Sequence, residues 1–316
     1  MTRLPLTAAL IPALLVAAPI GAQDKPPALA PSEIVAAAPR ADWTAIAASD
    51  LLVMDLAPDA KGPSTRSGPR RVVIQLMPPP FSQGWIGNIR KLAAARWWDG
   101  LSINRVQDNY VVQWGDADGE DAAKARKLPA NLGTIAESDY ATRVPDAEGE
   151  QAGRQGLIDS YAEAVDMKQG FPLAQSGDLW WPVHCYGMVG VGRNLSPDTG
   201  SGAELYTVIG HAPRHLDRNI ALVGRVIEGI EHLSSLPRGT GPLGFYETPE
   251  ERTAIRSVRM GNEVADLPAY EYLSTESGSF AAYADARANR RDAFFIRPAG
   301  GADVCNIPVP VRRVKG

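Results

Sequence analysis

Cysteine and histidine are scarce: 316 residues contain two cysteines, Cys185 and Cys305, and four histidines. A small scaffold stapled by several disulfides is thereby excluded. The histidines, His184, His211, His215 and His232, show no ligand spacing that the cysteines could complete, so no metal site is expected. No G-x-S-x-G elbow is present, and a serine hydrolase of that type has no nucleophile. The formal net charge is −4 and there is no dense Lys/Arg stripe, which argues against nucleic acid as a partner. Beyond the first 22 residues no apolar run is long enough to span a bilayer, so no membrane anchor is expected. A helical bundle is disfavoured by 26 prolines and 30 glycines.

The N-terminus, MTRLPLTAALIPALLVAAPIGA, has one arginine, an apolar run broken by three prolines, and small residues at its end. This layout predicts a secretory signal peptide over 1–22, cleaved near Ala22, and a periplasmic or secreted mature chain. Residues 23–50 are rich in Pro and Ala and read as an arm or linker. In an oxidising compartment a Cys185–Cys305 bridge is chemically reasonable. Two unrelated buried thiols are the alternative.

From residue 51 the pattern is mainly β. "LLVMDLA" (51–57) and "RVVIQLM" (71–77) are apolar strands joined by a polar, turn-rich loop. Trp85, Ile86, Ile89, Leu92 and Ala93 then recur at helical spacing. Further strands are expected at 204–209, 220–226 and 255–264, with a helix over about 227–236. Between 117 and 182 the pattern loosens into an insertion, with a strand near "LGTIA" and a helix over "GRQGLIDSYAEAVDM". The tail, 265–316, contains a helix starting near Ser279 as N-cap. Many short strands and few helices predict a β barrel or sandwich occupying 51–264.

One stretch resists a purely structural reading. "INRVQDNYVVQWGD" (103–116) alternates like a hairpin, with Ile103 and Arg105 expected on one face and Val111 and Gln113 on one face of the second arm. A charge taken into an apolar surface costs several kcal/mol, roughly, unless it is paired. Arg105 and Gln113 therefore either have structural partners or face a ligand.

Two anchors, "WWDGLSINRVQDNYVVQWGD" and "SGAELYTVIGHAPRHLDRNIALVGRVIEGIE", with the strand pair, helix and "GMVGVGRN" in the same order, make residues 51–264 resemble a cyclophilin. Cyclophilins are peptidyl-prolyl cis-trans isomerases. The resemblance implies a closed eight-stranded antiparallel barrel capped by two helices, with a substrate groove on its outer surface. It implies no cofactor and no metal, proline-containing segments of client proteins as partners, and a monomer. Arg105 matches the catalytic arginine of the family, and Gln113 the glutamine that binds the substrate backbone. Tyr110, Val111 and Tyr206 match the proline pocket, and Gly192 and Arg193 the main-chain contacts. Glu204 falls on a groove glutamine, His215 on a tryptophan, Leu216 on a leucine and Ile220 on a histidine. Several of these positions are altered, and Glu204 could pair with Arg105. A non-catalytic proline-peptide-binding or chaperone module on the same barrel is therefore the rival reading.

Overall fold

The apolar runs at 51–57 and 71–77 lack polar alternation because both of their faces are covered. Leu52, Met54, Val72 and Ile74 point into the main core, whereas Leu51 and Val73 pack outward against Tyr270 and Tyr272. A strand buried on both sides reads as a continuous apolar run. These relationships come from a computed structural model that describes residues 28–58, 70–144 and 156–314. The expected signal peptide and most of the 58–70 loop lie outside the described residues.

In chain order the elements are α1 (Pro31–Ala37), β1 (Trp43–Ile46), β2 (Leu51–Leu56), β3 (Arg70–Leu76), α2 (Gln83–Ala94), β4 (Ser102–Val106) and β5 (Val111–Gly115). The insertion holds β6 (Thr142–Arg143), β7 (Leu157–Ile158), β8 (Ala164–Lys168), β9 (Phe171–Ser176) and β10 (Leu179–Pro182). There follow β11 (Met188–Val191), β12 (Leu205–Val208), β13 (Leu222–Glu228), α3 (Glu231–Ser234) and β14 (Thr253–Met260). The tail contributes β15 (Tyr270–Leu273), α4 (Gly278–Ala288), β16 (Ala302–Asp303) and β17 (Val311–Arg313).

Eight strands close into an antiparallel barrel in the order β11-β12-β5-β4-β14-β2-β3-β13. Helix α2 sends Trp85, Ile86, Ile89 and Leu92 into the core, as the 3.6-residue spacing requires. Its Trp85 Nε1 donates to the Thr199 carbonyl at 3.0 Å, so the large ring is buried without a lost hydrogen bond. The helix expected over 227–236 is only the single turn α3. Strand β13 continues to Glu228, and Gly229 then turns at φ +84° so close to the Arg71 carbonyl that a Cβ would lie 2.0 Å from it.

The insertion departs from the expected pattern. Of the helix anticipated over 153–167, residues 153–155 lie outside the described residues and the remainder carries β7 and the start of β8 instead; in β8, Val165 and Met167 are buried while their neighbours are partly exposed. Gln169 and Gly170 both take positive φ and fold β8 back onto β9, so tight-turn chemistry overrides the helical propensity of "AEAVDM". Strands β6, β10, β9 and β8 form a separate sheet. No strand forms at "LGTIA". There the Asn88 side chain holds Gly133 at both its N–H and its carbonyl, each at 2.8 Å.

The stretch read as a linker carries α1 and β1, and β1 joins β15 and β17 in a three-stranded sheet. Helix α4 starts one residue before Ser279; its N-cap is Ser277, whose hydroxyl accepts from the Phe280 N–H at 3.1 Å. Cys185 and Cys305 form a disulfide across 120 residues, joining the tail to the segment that enters β11. Among the described residues no helix is long and apolar enough to cross a membrane.

Candidate active site

A bulge in β4 decides where Arg105 points. Ile103 pairs with Trp114 and Arg105 with Gln113, so Asn104 is an extra residue in the register. Ile103 and Val106 are both fully buried inside the barrel, while Arg105 faces outward. The expectation that Ile103 and Arg105 share a face is therefore corrected: the inserted residue reverses the alternation between them. The Asn104 side chain bridges the hairpin at this bulge, donating to the Gly115 carbonyl at 3.0 Å. In β5 and β12 the alternation is regular. Val112, Trp114 and Leu205 enter the core, and Val111, Gln113, Tyr206 and Val208 form the outer face.

On that outer face lies a groove of about 720 Å³. It is lined by Arg105, Tyr110, Val111, Gln113, Gly192, Arg193, Glu204, Tyr206, Leu216 and Ile220. His215 does not line it but stands beside it, its ring nearly parallel to that of Tyr110 with centroids 6.4 Å apart. Val111 and Tyr206, backed by the fully buried Val208, make an apolar floor against which Tyr110 and Ile220 pack. Gly190 permits this floor, because a Cβ there would lie 2.3 Å from the Tyr206 ring. The "GMVGVG" glycines thus serve close packing.

Arg105 is held by neutral groups. Its Nε donates to the Leu243 carbonyl at 2.7 Å, Nη1 to Gln113 Oε1 at 3.3 Å, and Nη2 to Gln107 Oε1. The guanidinium also lies 5.2 Å from the Phe245 ring centroid and 5.6 Å from that of Tyr110. Burial lowers its pKa from the ordinary arginine value. Leu243, Phe245 and Gln107 were not anticipated. The 238–245 segment, "RGTGPLGF", shows only turn residues, and its contact with Arg105 arises across 138 residues.

Glu204 does not pair with Arg105. Its Oε1 accepts from the Asp116 N–H at 2.6 Å, and its carboxyl is hydrogen-bonded to the Gln113 side chain. Gly115 leaves the space, since a Cβ there would lie 2.0 Å from Glu204 Oε1. Burial, opposed by these hydrogen bonds, pushes the Glu204 carboxyl up to about 8. A protonated carboxyl is uncharged and, like a glutamine amide, is planar with an acceptor oxygen and a donor, though with one donor hydrogen instead of two. Arg193 turns its guanidinium onto backbone carbonyls of Asn219 at 2.9 Å and Asn194 at 2.7 Å, bracing the groove loop.

Beneath the floor lies a buried polar chain that sequence patterns gave no means of finding. The Tyr206 hydroxyl is 2.8 Å from His184 Nε2, and His184 Nδ1 is 2.8 Å from Asp217 Oδ1. Asp217 Oδ2 accepts from Arg214 Nε at 2.7 Å, and Arg214 also pairs with Asp159. Burial works against the Asp217 charge, but hydrogen bonds from His184 and Arg214 hold its carboxyl below the usual range. Burial, opposed by the hydrogen bond to Asp217, shifts the His184 imidazole toward its neutral form.

A closed eight-stranded antiparallel barrel with an arginine, bonded to neutral acceptors, beside an apolar floor on its outer face is the arrangement that the resemblance to cyclophilins implies. The profile of the cyclophilin type peptidyl-prolyl cis-trans isomerase/CLD family matches residues 71–260. The chain belongs to that family. The crystal structure of cyclophilin AquaCyp293 from Hirschia baltica is similar with a TM-score of 0.62 and 19% identity, over 87% of this chain and 95% of that one. That coverage exceeds the family match, so the likeness in fold extends past the barrel. A cyclophilin type peptidyl-prolyl cis-trans isomerase of Cryptosporidium parvum, crystallised in the presence of Ala-Pro, shares 11% identity over 60% of this chain and 92% of its own, with a TM-score of 0.35. No curated protein matches the sequence.

Proposed function

We propose that the chain accelerates cis-trans isomerisation of X-Pro bonds in client proteins of an exported compartment, with Arg105 as the catalytic residue. The observation that carries this reading is the arginine itself. It is half-buried at the groove wall, fixed by three neutral acceptors, and unpaired with any carboxylate among the described residues. Three of its five N–H bonds are used, leaving one on each terminal nitrogen for substrate.

Rotation about an X-Pro bond breaks amide resonance against a barrier of roughly 20 kcal/mol. At the twisted geometry the prolyl nitrogen loses conjugation and its lone pair becomes basic. A guanidinium N–H aimed at that nitrogen binds the twisted state better than either planar isomer, and differential binding lowers the barrier. The floor of Val111 and Tyr206 receives the pyrrolidine ring, and Gln113 holds the peptide backbone beside Arg105. No nucleophile or proton transfer is needed. The exported setting is supported by the Cys185–Cys305 disulfide, which persists in oxidising compartments, and by the apolar N-terminal run.

A protease-coupled assay on a proline tetrapeptide tests the reading. Acceleration above the uncatalysed rate is expected. Saturable peptide binding with no acceleration would instead favour the non-catalytic module.

A further inference from the structure

We infer that His184 is a positioning residue for the proline pocket: oriented by Asp217, it accepts the Tyr206 hydroxyl and thereby fixes the position of the ring that floors the groove. This inference rests on the proposed isomerase reading and deepens it at the same site.

A phenylalanine at 206 would need no partner, whereas a tyrosine hydroxyl sealed beneath the floor must be hydrogen-bonded or lose the free energy of its hydration. His184 is fully buried and supplies the acceptor, Nε2, at 2.8 Å. Its ring lies nearly parallel to the Tyr206 ring, with centroids 6.3 Å apart and planes 10° apart. Swinging the tyrosine ring out of the floor would carry its hydroxyl away from Nε2 and break the hydrogen bond.

The imidazole can accept at Nε2 only if its proton sits on Nδ1, and Asp217 secures that tautomer. Asp217 Oδ1 faces Nδ1 at 2.8 Å and also accepts the His184 backbone N–H at 3.0 Å, so ring and main chain are held by one oxygen. The second oxygen, Oδ2, is engaged by Arg214, and Arg214 is clamped from its far side by Asp159 at the end of β7. One buried cation between two carboxylates keeps Asp217 ionised and stationary. The insertion thereby supplies the far anchor for a ring on the groove floor.

The test is a double-mutant cycle with His184→Leu and Tyr206→Phe, reading kcat and KM on a proline tetrapeptide, with thermal unfolding to confirm folding. His184→Leu alone should raise KM about five-fold and leave kcat within about two-fold, the loss expected for one hydrogen bond with a buried partner left unmatched. In the Tyr206→Phe background the same substitution should change KM by less than about two-fold, because both partners are then apolar. An undiminished KM effect in that background, or a folded His184→Leu chain with unchanged KM, would overturn the inference. On the unaltered chain, nitrogen NMR should find His184 as the neutral Nδ1–H tautomer at pH 6. An Nε2–H tautomer or an imidazolium there would overturn it as well, even if His184→Leu does not fold. Absence of isomerase activity in the unaltered chain would instead reject the reading beneath it, which the tautomer measurement leaves separate.

Discussion

Arg105 and Gln113 stand directly opposite each other on β4 and β5, and Nη1 of the arginine donates to Oε1 of the glutamine at 3.3 Å. The same Gln113 side chain is hydrogen-bonded to Glu204, so one amide lies between the guanidinium and the groove carboxyl. Gln113→Ala removes both contacts and the expected backbone anchor for substrate. KM for a proline tetrapeptide should rise about five- to twenty-fold, with a smaller fall in kcat, as for loss of one or two hydrogen bonds. Steady-state kinetics on the variant checks this.

Glu204 makes stability depend on pH. Its folded carboxyl titrates at about 8, against an ordinary value of 4.5. A raised folded value means that the contribution is fully present below pH 4.5 and is lost as pH rises through 8. Glu204→Gln should remove this dependence and stabilise the chain at pH 9 by on the order of 1–3 kcal/mol. Denaturant titrations of both chains at pH 5 and pH 9 measure the difference. A stability gap that does not widen with pH would show that the carboxyl titrates normally.

Phe245 stacks against Arg105 from a loop outside the strand framework. Phe245→Ala should reduce kcat/KM about two- to five-fold, the worth of an exposed cation–π contact of roughly 0.5–1 kcal/mol. Thermal stability should change little, because the ring is 39% exposed.

The Cys185–Cys305 bridge ties the tail to the barrel next to His184. Its reduction, or the Cys185→Ala/Cys305→Ala pair, should destabilise the chain by about 2–5 kcal/mol. Comparing melting curves with and without reductant reports the loss. A coincident pair of curves would mean that tail docking does not depend on the bridge.

Local pattern revealed what local chemistry determines. The paired apolar runs of β2 and β3, the helical spacing in α2 and the spacing of Arg105 to Gln113 are properties of short stretches, and each was legible. The bulge at Asn104 was not, because it depends on a side-chain amide reaching Gly115 across the hairpin. Nor was the polar chain under Tyr206, whose His184 and Asp217 lie 22 and 33 residues from their partners and make sense only once the floor exists. The insertion differs from its local pattern for another reason. The alanines and glutamate of "AEAVDM" favour a helix locally, whereas the positive-φ turn at Gln169–Gly170 folds the segment into a hairpin.

The most direct measurement is kcat/KM for a proline tetrapeptide with the unaltered chain and with Arg105→Ala, under conditions where both are shown to be folded. If Arg105 stabilises the twisted amide, the ratio should fall about 10²- to 10³-fold, as for loss of one preorganised donor to developing charge. Equal kcat/KM in the two chains would contradict a catalytic role for Arg105.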